Sequence, residues 1–208
     1  MSEKTIFYKY PQLYIQWLKW IHRNNFLKRY RYMASFVKNR NLVLEPGCGP
    51  AILADFLPKG SLYRGFDTNK DFIDYALTKH LNVYLGNVLD LKNYCQANIV
   101  IACDIFHHLK PIDRQRFIKN CFLSAKDKFI ICDPGKRERN VDRFFYPLRK
   151  RLVEWAERDG MNNVRFDHCL THEQLLDQIK CGFGIIPKSI KREVKSFGED
   201  IIAVFTKT

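Results

Sequence analysis

One short segment, LVLEPGCGPA at residues 42–51, constrains this chain more than any other part of it. An apolar run there ends in an acidic residue, and a turn with Gly47 and Gly49 follows before a proline. Glycine permits backbone angles and close approaches that a Cβ atom forbids, and Pro50 suits the first position of a helix. The segment predicts a buried strand, a tight turn and a helix from Ala51 to Leu57, although such glycine spacing also occurs in plain structural turns.

Three more apolar runs follow along the chain, and each ends at a polar residue or a glycine. They are Leu62 to Phe66 before Asp67, Val83 to Leu85 before Gly86-Asn87-Val88, and Ile99 to Ala102 before Cys103 and Asp104. The carboxyl ends of parallel strands meet at one edge of an open α/β sheet, which is where such sheets bind ligands. These polar ends are therefore expected to form one binding site.

Taken in order, the four segments resemble the motifs of the class I S-adenosylmethionine-dependent methyltransferases. LVLEPGCGPA is similar to the first motif, YRGFDTN to the second, GNVLDL to the third, and IVIACDIFHHL to the fourth, in a small-molecule branch that ends this motif with His-His-Leu. The resemblance covers residues 41–135 by motif and 171–206 by pattern. It implies an α/β, Rossmann-like fold, with a seven-stranded, mostly parallel sheet, an antiparallel last strand and helices on both faces.

The resemblance also implies S-adenosylmethionine as the cofactor and a role for each motif residue. Glu45 would meet the amino-acid head, Asp67 would accept from both ribose hydroxyls, and the Cys103 carbonyl would receive the ammonium group. Asn87 stands where this family more often has aspartate, and its side-chain oxygen would accept from the adenine amine beside the Val88 N–H. Asp67 and Asn87 are also ordinary turn and cap residues. The full predicted cofactor set is Glu45, Gly47, Cys48, Gly49, Asp67, Thr68, Asn87, Val88 and Cys103.

A DxxHH cluster, formed by Asp104, His107 and His108, directly follows the fourth apolar run. Residues three and four apart share one face of a helical turn, so one histidine is predicted to act with Asp104 in removing an acceptor proton near neutral pH. Two alternatives stay open. One is a purely structural turn, and the other is a divalent metal site like those of some quinone-type O-methyltransferases, although no metal ligand is assigned. Weaker candidates are Asp133, His168 and His172.

The later chain is predicted to complete the sheet. Lys128 to Cys132 gives a fifth strand, and Thr171 with Gln174 three residues later predicts a capping box for a helix that ends at Cys181-Gly182. Two final strands, Ile185 to Val194 and Ile201 to Thr206, are predicted to pair as an antiparallel hairpin because their connection is short.

Two aromatic segments lie outside the motifs of the predicted core, residues 41–208. Residues 1–40 are predicted to form a helical extension that caps the substrate, and residues 136–167 an inserted lid. Within the extension, the expected apolar stripe is Leu13, Trp17, Trp20 and Ile21, followed by a break at Asn24-Asn25 and a second helix with Leu27, Tyr30, Ala34 and Val37. Both segments could instead simply cover the sheet.

The formal net charge of +13 is concentrated in these two segments. Residues 1–40 hold nine Lys or Arg against one acid, Glu3, a balance of +8, and residues 136–165 hold nine against five acids, a balance of +4. The charge suits an anionic or amphiphilic small molecule, an anionic membrane surface, or RNA. The basic residues that would meet the membrane or RNA are Lys28, Arg29, Arg31, Arg149, Lys150 and Arg151. A solvated basic face is equally compatible, and without an RNA-binding module nucleic acid is the less favoured partner.

Size and cysteine content agree with one intracellular enzyme domain. The 208 residues suit a single α/β core, and no apolar run approaches the roughly 18 residues of a membrane span. Seven cysteines without a CxxC pair indicate free thiols, and the first residues lack the apolar region of a secretory signal. The expected location is therefore cytoplasmic.

Together these patterns predict an enzyme that transfers a methyl group from S-adenosylmethionine to a small-molecule acceptor, apolar or amphiphilic, by in-line displacement. Alignment and desolvation would supply much of the acceleration. The alternatives are a methyltransferase that acts on membrane lipid or RNA, and a non-catalytic binding scaffold with the same fold. Intact Glu45, Gly47, Gly49 and Asp67 argue against the scaffold.

Overall fold

The structure is a computed structural model that describes residues 4–135, 146–159, 171–182, 190–198 and 200–207. Its helices are α1 (Ile6–Lys9), α2 (Pro11–His22), α3 (Asn25–Ala34), α4 (Lys70–Thr78), α5 (Pro111–Ser124), α6 (Tyr146–Ala156) and α7 (His172–Gly182). Its strands are β1 (Leu42–Pro46), β2 (Leu62–Asp67), β3 (Val83–Leu85), β4 (Ala97–Cys103), β5 (Ala125–Pro134), β6 (Ile190–Phe197) and β7 (Asp200–Lys207). Short 3₁₀ turns cover Leu53–Phe56, Leu91–Asn93 and Phe106–His108.

The seven strands form one sheet in the order β3-β2-β1-β4-β5-β7-β6. Neighbours among β1 to β5 run parallel, whereas β7 runs antiparallel to both β5 and β6. The predicted Rossmann-like fold is confirmed, and so is the final hairpin, which turns at Gly198 with φ +68°. Residues 183–189, which include the predicted start of that hairpin at Ile185, lie outside the described residues.

Helices pack on both faces of the sheet, and β4 shows why its sequence is apolar throughout. Val100 and Ala102 face one core with α5 and α7, while Ile99, Ile101 and Cys103 face the other core with α2 and α3. A central parallel strand that is covered on both faces needs a continuous apolar run instead of an alternating one. Within the described ranges, no helix combines the length and the apolar character that crossing a bilayer requires.

The prediction of a helix directly after the glycine turn is wrong. Only a 3₁₀ turn at Leu53–Phe56 forms there. Pro50 does not start a helix, because Ala51 takes a positive φ of 55°. Leu57 precedes Pro58, and helical angles are disfavoured for the residue before a proline, so only residues 52–56 remain for helical geometry.

The break predicted at Asn24-Asn25 is confirmed, because α2 ends at His22 and α3 begins at Asn25. The predicted stripe on α2 is only partly right. The buried residues of this helix are Pro11, Tyr14, Trp17 and Leu18, whereas Leu13 and Trp20 are 43 % and 56 % exposed. Aromatic and aliphatic residues occupy both neighbouring stripes of this helix, so periodicity alone could not choose between them. On α3, likewise, Leu27 is exposed, although the helical pattern grouped it with Tyr30, Ala34 and Val37, which are buried.

The capping box at the start of α7 is confirmed. The Thr171 amide donates to Oε1 of Gln174 at 3.0 Å, and the Gln174 amide donates to Oγ1 of Thr171 at 3.2 Å. Helix α6 falls within the predicted lid, whereas residues 136–145 and 160–167 of that segment lie outside the described residues, as does His168. The roles of the lid and of the cap of residues 1–40 stay predictions.

Candidate active site

A cavity of about 290 Å³ lies at the carboxyl edge of the sheet, where β1, β2 and β4 end. The cap of residues 1–40 contributes Lys4, Tyr8, Tyr14, Leu18 and Tyr30 to its wall. All nine residues of the predicted cofactor set line this one cavity, and Asp104 and His108 line it as well. His107 is not among the lining residues.

The turn after β1 needs its two glycines for different reasons. Gly47 has φ +70°, and a Cβ atom there would lie only 2.8 Å from Cγ1 of Ile105, so both conformation and space exclude a side chain. Gly49 has φ +52°, and its added Cβ would meet only the Phe72 ring, at 3.8 Å. Conformation alone therefore favours glycine at the second position, and the space beside it stays open.

Asp67 holds the glycine turn against the end of β2. Its Oδ2 accepts from the Gly49 amide at 2.9 Å, and its Oδ1 accepts from the Asn69 amide at 2.8 Å. Burial raises the pKa of Asp67, although these two amides oppose the shift. Each carboxylate oxygen has a second lone pair, so the side chain can still accept from a ligand.

Asn69 is a site residue that sequence reasoning missed. Its Oδ1 caps α4 by accepting from the Asp71 amide at 3.1 Å and also accepts from Nζ of Lys4 at 2.8 Å. Its Nδ2 donates to the Tyr8 carbonyl at 2.8 Å. An asparagine directly before a helix was a visible capping signal, but its bonds to the cap depend on tertiary contacts.

Glu45 is 3 % exposed at the end of β1. Burial raises its pKa to about 8, although a hydrogen bond from the Tyr63 hydroxyl opposes the rise. A carboxyl group with that pKa is mostly protonated at neutral pH, and a cation placed beside it would favour its ionised form. Tyr63 was not predicted as a site residue.

Asn87 and Val88 form a turn after β3. The Asn87 side-chain oxygen accepts from the Leu89 amide at 2.9 Å, so the side chain holds its own turn. The Val88 carbonyl accepts from the Tyr94 hydroxyl at 2.7 Å, and no hydrogen bond within the described residues uses the Val88 N–H. Contact of these two residues with adenine stays a prediction.

Asp104 does not partner either histidine of the DxxHH cluster. Its two carboxylate oxygens accept from the Arg29 guanidinium at 2.8 and 2.6 Å. Burial tends to raise the pKa of Asp104, but the charge and hydrogen bonds of Arg29, together with the charges of His22 and His107, outweigh burial and lower the pKa to about 2. Arg29 is completely buried, so its predicted role on a basic outer surface is wrong. Next to it, the Cys103 side chain is buried at the end of β4.

The two histidines lie in different surroundings. His107 Nδ1 lies 3.0 Å from Oδ1 of Asp133, the same oxygen that accepts from the Phe106 amide at 3.1 Å. Burial tends to lower the pKa of His107, but the charge and hydrogen bond of Asp133, together with the charges of Glu157 and Asp104, outweigh burial and raise the pKa to about 9. A histidine that stays protonated at neutral pH and does not line the cavity stabilises the turn and is a poor proton acceptor.

His108 faces the cavity and meets side chains from the cap and from the end of α6. Its Nε2 lies 3.4 Å from the Tyr8 hydroxyl and 3.7 Å from Oε2 of Glu157. Its Nδ1 is buried without a hydrogen bond in the described residues, and Oδ2 of Asp159 lies 3.6 Å away. The arrangement leaves one ring nitrogen of His108 without a hydrogen bond among the described residues.

Glu157 joins the cap to α6. It is 6 % exposed and accepts from Nε1 of Trp17 at 2.9 Å and from the Tyr8 hydroxyl at 3.1 Å. Thr5 adds a hydrogen bond from its hydroxyl to the Ala156 carbonyl at 2.8 Å. No motif marked Glu157, because its partners lie about 140 positions away in sequence.

Among the described residues, three groups of side chains place potential metal ligands close together. Two of them contain Asp104, whose oxygens already bind the Arg29 guanidinium, and a positive charge there disfavours a metal ion. The third group is His107, His108 and Glu157. No metal is assigned to it.

Comparison with known proteins identifies structures with a similar fold, all at low sequence identity. No family model matches this chain, and no curated protein matches it. A methyltransferase of Thermotoga maritima that depends on S-adenosylmethionine matches with a TM-score of 0.69 and 15% identity, over 98% of this chain and 99% of its own.

Two further solved structures are similar. The magnesium protoporphyrin IX methyltransferase of Synechocystis, with bound S-adenosylhomocysteine, has a TM-score of 0.64 and 12% identity over 100% of this chain and 90% of its own. A TehB-like S-adenosylmethionine-dependent methyltransferase of Corynebacterium glutamicum has a TM-score of 0.61 and 15% identity over 86% of this chain and 87% of its own. The chain has the fold of the class I S-adenosylmethionine-dependent methyltransferases.

Proposed function

We propose that the protein is an S-adenosylmethionine-dependent methyltransferase that acts on a small molecule. One observation carries the proposal: all nine residues predicted for the cofactor line a single cavity at the carboxyl edge of the sheet. The similar solved structures support it, because they are methyltransferases that depend on this cofactor, and one of them holds S-adenosylhomocysteine. A cytoplasmic location is part of the proposal, since the cysteines described as free thiols suit a reducing compartment.

The chemistry of the cavity fits S-adenosylmethionine. The cofactor supplies an electrophilic methyl group on a sulfonium and also carries an ammonium group, a ribose diol and an adenine ring. Glu45 and the Cys103 carbonyl would hold the ammonium, the spare lone pairs of Asp67 would accept from the diol, and the Val88 N–H would meet the ring. Open space beside Gly49 lets the bound chain pass close to the backbone.

We assign acceptor activation to His108. It faces the cavity, and its Nδ1 is a buried nitrogen without a hydrogen bond in the described residues. Glu157 and Asp159, at 3.7 and 3.6 Å from its two ring nitrogens, would stabilise the positive charge that the ring gains on accepting a proton. Asp104 would serve as a positioning residue, because Arg29 binds both of its oxygens.

The cap side of the cavity favours an apolar or amphiphilic acceptor. Rings of Tyr8, Tyr14 and Phe72 pack on one another with centroids 4.8 to 5.6 Å apart, and Leu18 extends this wall. Apolar walls with a few placed polar groups are typical of small-molecule sites. The polar atom to be methylated would then lie near His108.

Two measurements test the proposal together. Calorimetry with S-adenosylhomocysteine tests cofactor binding, and incubation with methyl-labelled S-adenosylmethionine and fractionated cell extract tests the acceptor. We expect binding, and label in the small-molecule fraction. Label in the lipid or RNA fraction would overturn the small-molecule acceptor in favour of lipid or RNA. Cofactor binding without any labelled product would favour a non-catalytic binding scaffold, and the absence of cofactor binding would overturn the whole proposal.

A further inference from the structure

The cap of residues 1–40 and α6 expose large apolar side chains to solvent. We name this set the outer cap face. Its members are 43 to 57 % exposed, and they are Ile6, Tyr10, Leu13, Trp20, Leu152 and Trp155. Scattered single apolar residues on a surface need no explanation, but a contiguous apolar group indicates an interaction site.

Ring contacts connect the two exposed tryptophans of the outer cap face through Trp17 and Phe7. Trp17 stacks on Trp20 with ring centroids 5.2 Å apart and on Phe7 with ring centroids 5.0 Å apart. Phe7 also meets the edge of Trp155 at 6.2 Å. These contacts therefore link α2, α1 and α6.

The exposed charge on the described parts of the cap and around the end of α6 is basic, with Arg151 and Arg158 exposed and Glu154 half-buried. Residues 4–40 contain no Asp or Glu. Their exposed basic residues are Lys9, Lys19, Arg23, Lys28, Arg31, Lys38 and Arg40. Apolar and aromatic side chains surrounded by Lys and Arg are typical of surfaces that lie on anionic headgroups.

We propose that the outer cap face docks on an anionic lipid membrane surface. Aliphatic Ile6, Leu13 and Leu152 can enter the acyl boundary, whereas they offer no ring for stacking on nucleobases. A second copy of the chain would bring like charges together, which disfavours self-association through this face. The proposal goes beyond methyl transfer and stands without it, because no residue of the outer cap face lines the cavity.

Vesicle sedimentation of the full chain tests the docking. Vesicles of phosphatidylcholine alone are compared with vesicles of equal parts phosphatidylcholine and phosphatidylglycerol, at low and high salt. We expect binding to the mixed vesicles only, weakened by salt because exposed charges are screened. Equal binding to both vesicle types, or no binding to either, overturns the proposal.

Variants locate the surface. The double variant Leu13→Ser, Trp20→Ser should weaken vesicle binding by about tenfold or more, because apolar burial is lost. The double variant Lys9→Gln, Lys19→Gln should weaken vesicle binding by about fivefold for each charge removed. Leu123→Ser is the matched control, because Leu123 is 50 % exposed on α5, which packs on the opposite face of the sheet. Equal losses in the control and the test variants overturn the assignment.

Two further readouts separate other occupants and folding effects. Circular dichroism of each variant checks the fold, and the charge variant alters only exposed side chains, so it remains informative if the apolar variant unfolds. Binding to single-stranded RNA without binding to vesicles would overturn the proposal in favour of nucleic acid. Self-association that Trp20→Ser abolishes, again without vesicle binding, would overturn it in favour of a dimer surface.

Discussion

Arg29 donates hydrogen bonds to both carboxylate oxygens of Asp104, at 2.8 and 2.6 Å, from a helix of the cap to the wall of the cavity. Its Nη1 also lies 3.5 Å from Oδ2 of Asp200, which lies 2.8 Å from Nδ1 of His22. The cap is thereby anchored to the ends of two strands by buried charge. A displacement of α3 would leave these carboxylates without a cation.

Replacing Arg29 by Met should destabilise the fold strongly. Removing one partner of a buried ion pair leaves an uncompensated charge, which costs about 3 to 5 kcal/mol. Urea unfolding gives the free-energy difference. Arg31→Met on the same helix is the matched control, since Arg31 is exposed, and equal losses in both variants would show that the buried pair contributes nothing special.

Replacing His107 and replacing His108 should have different effects on turnover. We expect His108→Gln to lower kcat by roughly 100-fold to 10,000-fold, the usual contribution of a general base, with unchanged affinity for S-adenosylhomocysteine. His107→Gln should leave the turnover of the folded enzyme close to normal. Steady-state assays with the identified acceptor check both, and normal turnover in folded His108→Gln would leave alignment and desolvation as the mechanism.

Stability should depend on pH through the pair of His107 and Asp133. Because folding raises the His107 pKa from the ordinary 6.5 to about 9, the folded state binds more protons between these values. The contribution of the pair is therefore complete below about pH 6.5 and is lost as pH rises through about 9. Urea unfolding from pH 6 to 10 should show this decline, and His107→Gln should flatten it. The same slope in both proteins would contradict the assignment.

Asp67→Ala should weaken cofactor binding. The lost charge-assisted hydrogen bonds correspond to about 1.5 to 3 kcal/mol, and the Gly49 amide also loses its acceptor in this variant. Calorimetry with S-adenosylhomocysteine measures the change. Asp74→Asn is the control, because it removes a nearby exposed acid that does not line the cavity. Unchanged affinity in a folded Asp67→Ala protein would refute the role.

Cofactor binding should release a proton from Glu45 at neutral pH. Burial raises the pKa of this carboxyl to about 8, and a bound ammonium would lower it again, since an opposite charge favours the ionised form. The calorimetric heat at pH 7 should then vary with the ionisation enthalpy of the buffer. Glu45→Gln should remove that variation, and its absence in the natural chain would place the ammonium elsewhere.

Short-range sequence patterns predicted most of the fold. The apolar runs predicted the parallel strands, and Thr171 with Gln174 predicted the start of α7, because a capping box depends on residues three positions apart. The same locality explains one failure. The helix expected after Gly49 does not form because Ala51 takes a positive φ. An alanine side chain gives no local signal of that backbone angle.

The sequence alone determined the strand order along the chain and the polar residues at each strand end, since parallel topology brings those ends to one edge. Only the tertiary structure decided that His108 faces the cavity, that Arg29 is buried and that Glu157 joins the cap. The bonds responsible join residues 75 to 149 positions apart. Such contacts depend on how helices pack across the sheet, which no short pattern of residues specifies.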